Sequence, residues 1–114
     1  MLPKQYRLPL RIEFKRIKKE GKLWQGRFFS LLVAKQQFPV ARFAFIVSKK
    51  IHNKAVKRNR VRRLLIESVR FFLPQIKSGV DGVFLTKKAI IDRDFGEIKN
   101  EMEKTLKKAG LLTR

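Results

Sequence analysis

The chain has 114 residues, of which 44% are hydrophobic, enough for one folded domain over residues 1–114. Its 29 lysines and arginines against nine acids give a formal charge of +20, which indicates a polyanionic partner: RNA, DNA or an anionic membrane surface. The lack of cysteine excludes disulfides and thiolate metal sites, and no apolar run approaches the roughly 18 residues that span a bilayer, so we expect a cytoplasmic protein without a membrane segment.

Hydrophobic periodicity predicts helices and strands along the whole chain. In order, it indicates a helix over residues 9–20, a short strand over 22–24, strands over 27–34 and 41–48, a helix from Asn53 to Pro74, a strand over 80–86 and a last helix from Asp94 to Gly110. Residues 36–39 are expected to connect the second and third strands as a hairpin. The order predicts a mixed layer of sheet and helices.

Two helices carry more specific signals. Asn53 is a candidate N-cap of the middle helix, whose buried stripe is predicted to contain Val61, Leu64, Leu65, Ser68, Val69 and Phe72. Asp94 followed by Glu97 predicts a capping box for the last helix, whose buried stripe is predicted to contain Phe95, Ile98, Met102 and Leu106.

The most unusual stretch runs from Lys49 to Arg63 and contains eight basic side chains and no acid. Ordinary exposed helices intersperse the two signs, so this stretch is not a typical solvated face. Arginine can grip phosphate oxygens through two donors, and the free amides at the helix N-terminus offer a second anion site. We interpret the stretch as a nucleic-acid-binding helix, and charge alone does not choose between RNA and DNA.

These residues also resemble the signature of the bacterial ribonuclease P protein family. The segment FAFIVSKKIHNKAVKRNRVRRLLIESVR is similar to the family's strand ending in Val-Ser-Lys-Lys and its helix bearing Arg-Asn-Arg, here residues 58–60. The N-terminal Leu-Pro-Lys and Asp81 match as well. Many members have Gly-Asn-Ala-Val after the two lysines, whereas this chain has Ile-His-Asn-Lys-Ala-Val, a turn that is one residue longer and lacks the glycine.

The resemblance implies an α+β fold, an α/β sandwich in the order α-β-β-β-α-β-α. It also implies a four-stranded mixed sheet with a left-handed βαβ crossover, opposite to the usual hand. The implied function is that of a protein subunit that assists a large catalytic RNA in the endonucleolytic removal of the 5′ leader from precursor tRNA. The resemblance further implies that the RNA carries the hydrolysis and the magnesium ions. The protein would then hold no metal and no catalytic residue, as a monomer in a one-to-one complex.

Carried over residue by residue, the resemblance implies two sites. The catalytic RNA is expected to contact Lys49, Lys50, Lys54, Lys57, Arg58, Asn59, Arg60, Arg62, Arg63 and Arg70. The leader is expected to lie in a cleft formed by Phe14, Lys18, Phe28, Ser30 and Leu32, the last three on one face of their strand. Unpaired bases stack on exposed aromatic rings with ~1–3 kcal/mol per base, although a plain core role is the alternative for both phenylalanines.

Other candidate sites are weaker. Five of the nine acids lie between Asp92 and Glu103, where a favourable interaction with a helix N-terminus is the simpler explanation than a metal site. His52 is the single histidine, so the chain has no histidine pair for acid–base transfer. Trp24 could stack on a base, but packing at a strand edge is its more ordinary role.

Two alternative functions stay open at this point. A ribosome-associated structural RNA-binding protein has a similar composition, but the Arg-Asn-Arg block within a matching chain order disfavours it. A basic DNA-binding regulator would be expected to have a turn between two helices, whereas the basic helix here follows a strand.

Overall fold

The computed structural model describes residues 2–113. Its main elements are α1 (Leu10–Glu20), β1 (Lys22–Gln25), β2 (Phe29–Lys35), β3 (Ala41–Ile46), α2 (Ala55–Phe72), β4 (Val80–Thr86) and α3 (Phe95–Lys108). Short 3-10 turns occupy Lys4–Tyr6, Leu73–Gln75 and Lys88–Ile90. The predicted α-β-β-β-α-β-α order is confirmed. Within the described residues, no helix is long and apolar enough to cross a membrane.

The four strands form one mixed sheet in the order β1-β2-β4-β3. β4 lies between β2 and β3, antiparallel to the first and parallel to the second, so the predicted hairpin at residues 36–39 is wrong. That connection passes the start of β4, where the Gln36 backbone N–H donates to the Gly79 carbonyl at 3.0 Å. β3 and β4 are joined through α2, which makes the βαβ crossover that the resemblance implies; its hand stays a prediction.

Helices cover both faces of the sheet. α2 and α3 pack on one face, in a large cluster around Phe84, whose ring centroid lies 5.3 Å from that of Phe29. α1 packs on the other face, over a smaller cluster that contains Ile17 and Leu32. β2 alternates as predicted, because Phe29 and Leu31 belong to the large cluster and Leu32 to the small one.

α3 begins with the predicted capping box. The Asp94 carboxylate accepts from the Glu97 backbone N–H at 2.8 Å, and the Glu97 carboxylate accepts from the Asp94 backbone N–H at 3.3 Å. The predicted buried stripe is confirmed except at Phe95, which is half-buried at the helix start.

α2 buries the predicted stripe but begins differently from the prediction. Its only buried polar side chain, Ser68, donates from its hydroxyl to the Leu64 carbonyl at 2.8 Å. Asn53 is not the N-cap: the helix starts at Ala55 after Lys54, and no side chain caps its first turn.

One cluster of ion pairs fastens α1 to the sheet. Asp81 of β4 is fully buried and accepts from Arg42 Nε and Nη2 of β3 at 2.8 Å each. Asp81 also accepts from Arg16 Nη2 of α1 at 2.5 Å, and Arg16 Nε donates to Glu13 at 2.9 Å. The bond to Glu13 raises the pKa of Arg16, and the bonds to Asp81 raise the pKa of Arg42. We name these four residues the Asp81 lock.

Asp81→Asn keeps the shape of the lock but removes the charge that two guanidinium groups share. Breaking a buried ion pair typically costs about 3–5 kcal/mol, and because both arginines are partly exposed we expect a loss of about 3 kcal/mol in the free energy of unfolding. Urea denaturation measures it. Glu20→Gln is the matched control, because Glu20 contacts Arg16 at 3.6 Å on the surface, where pairs contribute at most about 1 kcal/mol. Equal stability of the two variants contradicts the lock.

Candidate nucleic-acid interface

Most of the predicted RNA-binding residues lie where β3 ends and α2 begins, and the others follow α2 as far as its last turn. We call this surface the basic corner; it comprises Lys49, Lys50, Lys54, Lys57, Arg58, Asn59, Arg60, Arg62, Arg63 and Arg70. On α2 its exposed members are Asn59, Arg63 and Arg70, which the helical wheel places opposite the buried stripe. The remaining members on α2 are half-buried, so part of each side chain packs on the protein.

The turn that precedes α2 is anchored by its apolar residue. Ile51 is 9% exposed in the large cluster, and its backbone N–H donates to the Ser48 carbonyl at 3.0 Å. Arg58 Nη1 donates to the carbonyls of His52 at 2.9 Å and Asn53 at 3.0 Å. No residue of turn 48–54 has a positive φ, so this longer turn does not need the glycine that many family members have there.

The first turn of α2 presents backbone N–H groups to solvent. It has no side-chain cap and no acidic residue. The first amides of a helix lack partners within the helix, and together with the helix dipole they attract anions. Lys54 and Lys57 lie at the same end, so a phosphate bound there would meet backbone and side-chain donors together.

Two acids lie at the basic corner: Glu67 is exposed on α2 between Arg63 and Arg70, and Asp92 pairs with Lys57. Asp92 Oδ1 accepts from Lys57 Nζ at 2.6 Å, and this bond holds the pKa of the Asp92 carboxyl below its ordinary value. Asp92 has a φ of 64°, in the left-handed region that residues other than glycine rarely adopt. Sequence reasoning missed this pair because 35 residues separate its members.

The predicted cleft residues other than Phe28 lie beside α1, on the face of the sheet that α1 partly covers, and we call this region the α1 cleft. Phe14 is half-buried against the small cluster, and Lys18 Nζ lies 5.6 Å from its ring centroid. On the floor, Leu32 is 8% and Ser30 5% exposed, and the Ser30 hydroxyl donates to Gln25 Oε1 at 2.7 Å. The structure thus places every predicted cleft residue except Phe28 on this side of the sheet.

Phe28 lies elsewhere, and the prediction that it shares a face with Ser30 and Leu32 is wrong. It precedes the first residue of β2, so strand alternation does not apply to it. Its side chain is 3% exposed in the large cluster on the other face. The guanidinium carbons of Arg27 and Arg93 lie 5.4 and 5.0 Å from its ring centroid, so the structure supports the core role.

Strand pairing adds residues to the cleft that the sequence did not reveal. Leu23 pairs with Leu32, and Leu85 pairs with both Ser30 and Ile46, so all of them face α1. Leu23 is 44% exposed, whereas Ile46 and Leu85 are half-buried. Only the pairing register of the strands places these residues in the cleft. The register cannot be predicted from the sequence when the neighbours of each strand are unknown.

The basic corner and the α1 cleft adjoin at one end of the sheet. β3 ends at Ile46, which packs on the small cluster under α1, and turn 48–54 follows directly. The two surfaces are therefore neighbours at this end of the sheet.

The acidic side chains of the described residues are mostly engaged in structural contacts. Every acid except Glu67 accepts a hydrogen bond or forms an ion pair, among them Glu101 with the Arg27 backbone N–H and Glu103 with Lys107 at 3.4 Å. Within residues 2–113, no group of three or more carboxylate and imidazole side chains is placed to hold a metal ion.

Comparison with known proteins identifies the family, because the family described as Ribonuclease P matches residues 2–110. The chain belongs to the ribonuclease P protein family. The ribonuclease P protein component of Caldanaerobacter subterraneus subsp. tengcongensis is 41% identical over 99 residues, which cover 87% of this chain and 84% of that protein. The corresponding component of Clostridium botulinum strain Langeland is 38% identical over 100 residues, which cover 87% and 89%.

Solved structures of ribonuclease P proteins have the same fold. A Staphylococcus aureus RNase P protein mutant with defective mRNA degradation activity matches with a TM-score of 0.88 at 28% identity, over 96% of this chain and 92% of that one. The Thermotoga maritima RNase P protein matches with a TM-score of 0.82 at 31% identity, over 90% and 96%. The resemblance stated from the sequence is confirmed, and a ribosome-associated protein is not favoured.

Lys57→Met is expected to raise the pKa of Asp92 towards its ordinary value, because it removes the bond that lowers it. Since the folded pKa lies below the unfolded one, the pair contributes stability above the unfolded pKa, and this is lost as pH falls through the folded pKa. A carboxyl NMR titration measures the change. Lys99→Met, a neutralisation on α3, is the control and leaves Asp92 unchanged. An unchanged Asp92 midpoint in Lys57→Met contradicts the pairing.

Proposed function

We propose that this ribonuclease P protein subunit binds the catalytic RNA through its basic corner and holds the 5′ leader of precursor tRNA in the α1 cleft. In this way it assists the endonucleolytic step that produces the mature tRNA 5′ end. The observation that carries the proposal is the juxtaposition of an uncapped, acid-free helix N-terminus with a cleft that contains an aromatic ring, at one end of the sheet.

The basic corner suits folded RNA because its cations are spread over the outer surface of turn 48–54 and α2. Arg63 and Arg70 are exposed two turns apart on the same face of α2 and can contact a phosphate backbone. Arg62 Nη1 donates to Asn59 Oδ1 at 3.1 Å, which orients both side chains before RNA arrives. Each phosphate that is neutralised adds about 0.7–0.9 to the magnitude of the salt slope of log affinity.

The α1 cleft suits an unpaired leader. Phe14 offers a partly exposed ring, and stacking on a ring tolerates any base. Lys18 lies next to this ring, and Lys87 Nζ donates to Gln25 Oε1 at 3.0 Å at the cleft floor, so cations lie within reach of the leader phosphates. A substrate whose leader varies in sequence requires this kind of recognition.

The chemistry is assigned to the RNA subunit, which would hold the catalytic magnesium ions, and the protein has a positioning role. The engagement of the acids in the Asp81 lock, the α3 capping box and surface ion pairs supports this division. We further propose that the protein acts in the cytoplasm as a monomer in a one-to-one complex with the RNA.

Reversing the charge of Arg60 and Arg63 tests the basic corner. Arg60→Glu/Arg63→Glu is expected to weaken binding to the catalytic RNA at least about a hundredfold at moderate salt and to flatten the salt slope, because carboxylates that repel phosphate replace cations that neutralise it. Filter binding measures both, with circular dichroism to verify folding. Lys15→Glu/Lys19→Glu changes the net charge equally on exposed α1 positions and is the control. Equal weakening by both pairs rejects a specific surface.

Replacing Phe14 by leucine tests the cleft while keeping an apolar side chain. Phe14→Leu removes base stacking of ~1–3 kcal/mol, so the reconstituted enzyme is expected to bind precursor tRNA about 5- to 150-fold more weakly. Equilibrium binding to precursor tRNA measures this, and mature tRNA without a leader is the control ligand. If both ligands lose affinity to the same extent, Phe14 does not contact the leader.

A further inference from the structure

A second pocket lies at the opposite end of the sheet from the basic corner. It is a cavity of about 650 Å³ that opens where α3 ends and leaves a corner of the sheet uncovered. Trp24 of β1, Val33 of β2 and Val80 of β4 line its floor. Gly110, with a φ of 70°, turns the chain so that residues 109–111 form one wall. We call this cavity the Trp24 pocket.

One ring face of the Trp24 indole is covered by the side chain of Lys22, which a stacking base would displace. Trp24 is half-buried against the large cluster, and Lys22 Nζ lies 4.4 Å from its ring centroid. The face that meets Lys22 thus contacts an exposed cationic side chain instead of the core. An aromatic face of this kind stacks on nucleobases, every one of which has a π face.

The rim of the pocket is positively charged and therefore favours an anionic ligand. Its basic members are Lys22, Lys35 and Lys77, and within residues 2–113 none of them forms an ion pair. The single acid in the lining, Glu20, pairs with Arg16 Nη1 at 3.6 Å. The α3 C-terminus contributes about half a negative charge, less than the three lysines supply. A pocket that offers an aromatic ring for a base and lysines for a phosphate fits an unpaired nucleotide.

The course of α1 connects this pocket to the α1 cleft. Just before α1, the Leu8 backbone N–H donates to the Phe43 carbonyl of β3, and just after α1 the chain enters β1. α1 therefore crosses the sheet from the β3 edge to the β1 edge, and a cleft alongside it opens at β1. Leu23 lies on the cleft side of β1, and Trp24, the next residue, lies on the other face.

We propose that the precursor-tRNA leader, on leaving the α1 cleft, turns round the edge of β1 and places one unpaired nucleotide in the Trp24 pocket. The base lies against Trp24, and the phosphates lie near Lys35 and Lys77. This inference rests on the leader site of the proposed function and does not depend on the basic corner. It predicts that the protein distinguishes leaders by length.

Trp24 is the single tryptophan, so its fluorescence in the reconstituted RNA–protein enzyme reports on this pocket alone. Precursor tRNAs with leaders of about four and about sixteen nucleotides cover the site sizes of small single-strand-binding folds. We expect the long leader to lower the acrylamide quenching constant of Trp24 at least twofold. The short leader and mature tRNA should leave it unchanged. Absence of protection by the long leader overturns the proposal.

Two pairs of variants test the rim. Lys35→Ala/Lys77→Ala is expected to lower the magnitude of the salt slope for the long-leader substrate by about 0.7 for each phosphate that the variant no longer neutralises, and to leave the short-leader slope unchanged. Lys99→Ala/Lys104→Ala removes the same charge outside the pocket and is the control. Equal effects of the two pairs on the long-leader substrate overturn the proposal.

Two further outcomes separate this inference from the proposed cleft. If Phe14→Leu leaves both substrates unchanged, the cleft assignment fails and the route through the cleft is overturned with it; protection of Trp24 by the long leader then supports only the nucleotide site in the pocket. If Trp24 becomes protected as the concentration of RNA-free protein rises, a second copy of the chain occupies the pocket and the proposal is overturned.

Discussion

The buried carboxylate of Asp81 is the interaction on which the rest of the structure depends. A carboxylate without water is tolerated only when hydrogen-bonded cations surround it, and here Arg42 and Arg16 donate to both of its oxygens. Glu13 balances the second arginine. The lock joins α1, β3 and β4, and it holds α1 over one end of the sheet. The other end stays open, and this makes the α1 cleft.

The placement of the acids determines where the excess positive charge acts. Most acids take part in the Asp81 lock, in the α3 capping box or in ion pairs along α3. Turn 48–54 and α2 therefore keep a largely uncompensated array of cations, in which Asp92 pairs with Lys57 and Glu67 is the single acid on the helix. Net charge indicates a polyanionic partner, but the tertiary arrangement decides which cations remain available to it.

Features that depend on residues close together in the chain were predicted well. Features that depend on contacts between distant segments were predicted poorly. The α2 stripe and the α3 capping box follow from contacts between residues three or four positions apart, and both are present. The hairpin at residues 36–39 failed because β4, from much later in the chain, pairs with β2 and β3. The prediction that Phe28 lies in the α1 cleft is wrong because Phe28 precedes the first residue of β2, where strand alternation does not apply. The prediction that Asn53 is the N-cap of α2 is wrong because the helix starts only after Lys54.

The sequence by itself determined the order of helices and strands, the faces that they bury, the basic surface of α2 and the family. These properties depend on side-chain periodicity and on a contiguous motif. Only the tertiary structure decided the strand order, the exclusion of Phe28 from the α1 cleft and its additional members, the Asp81 lock and the open corner beside Trp24. Each of these depends on contacts between segments far apart in the chain, and their register is set by the packing of the whole sheet.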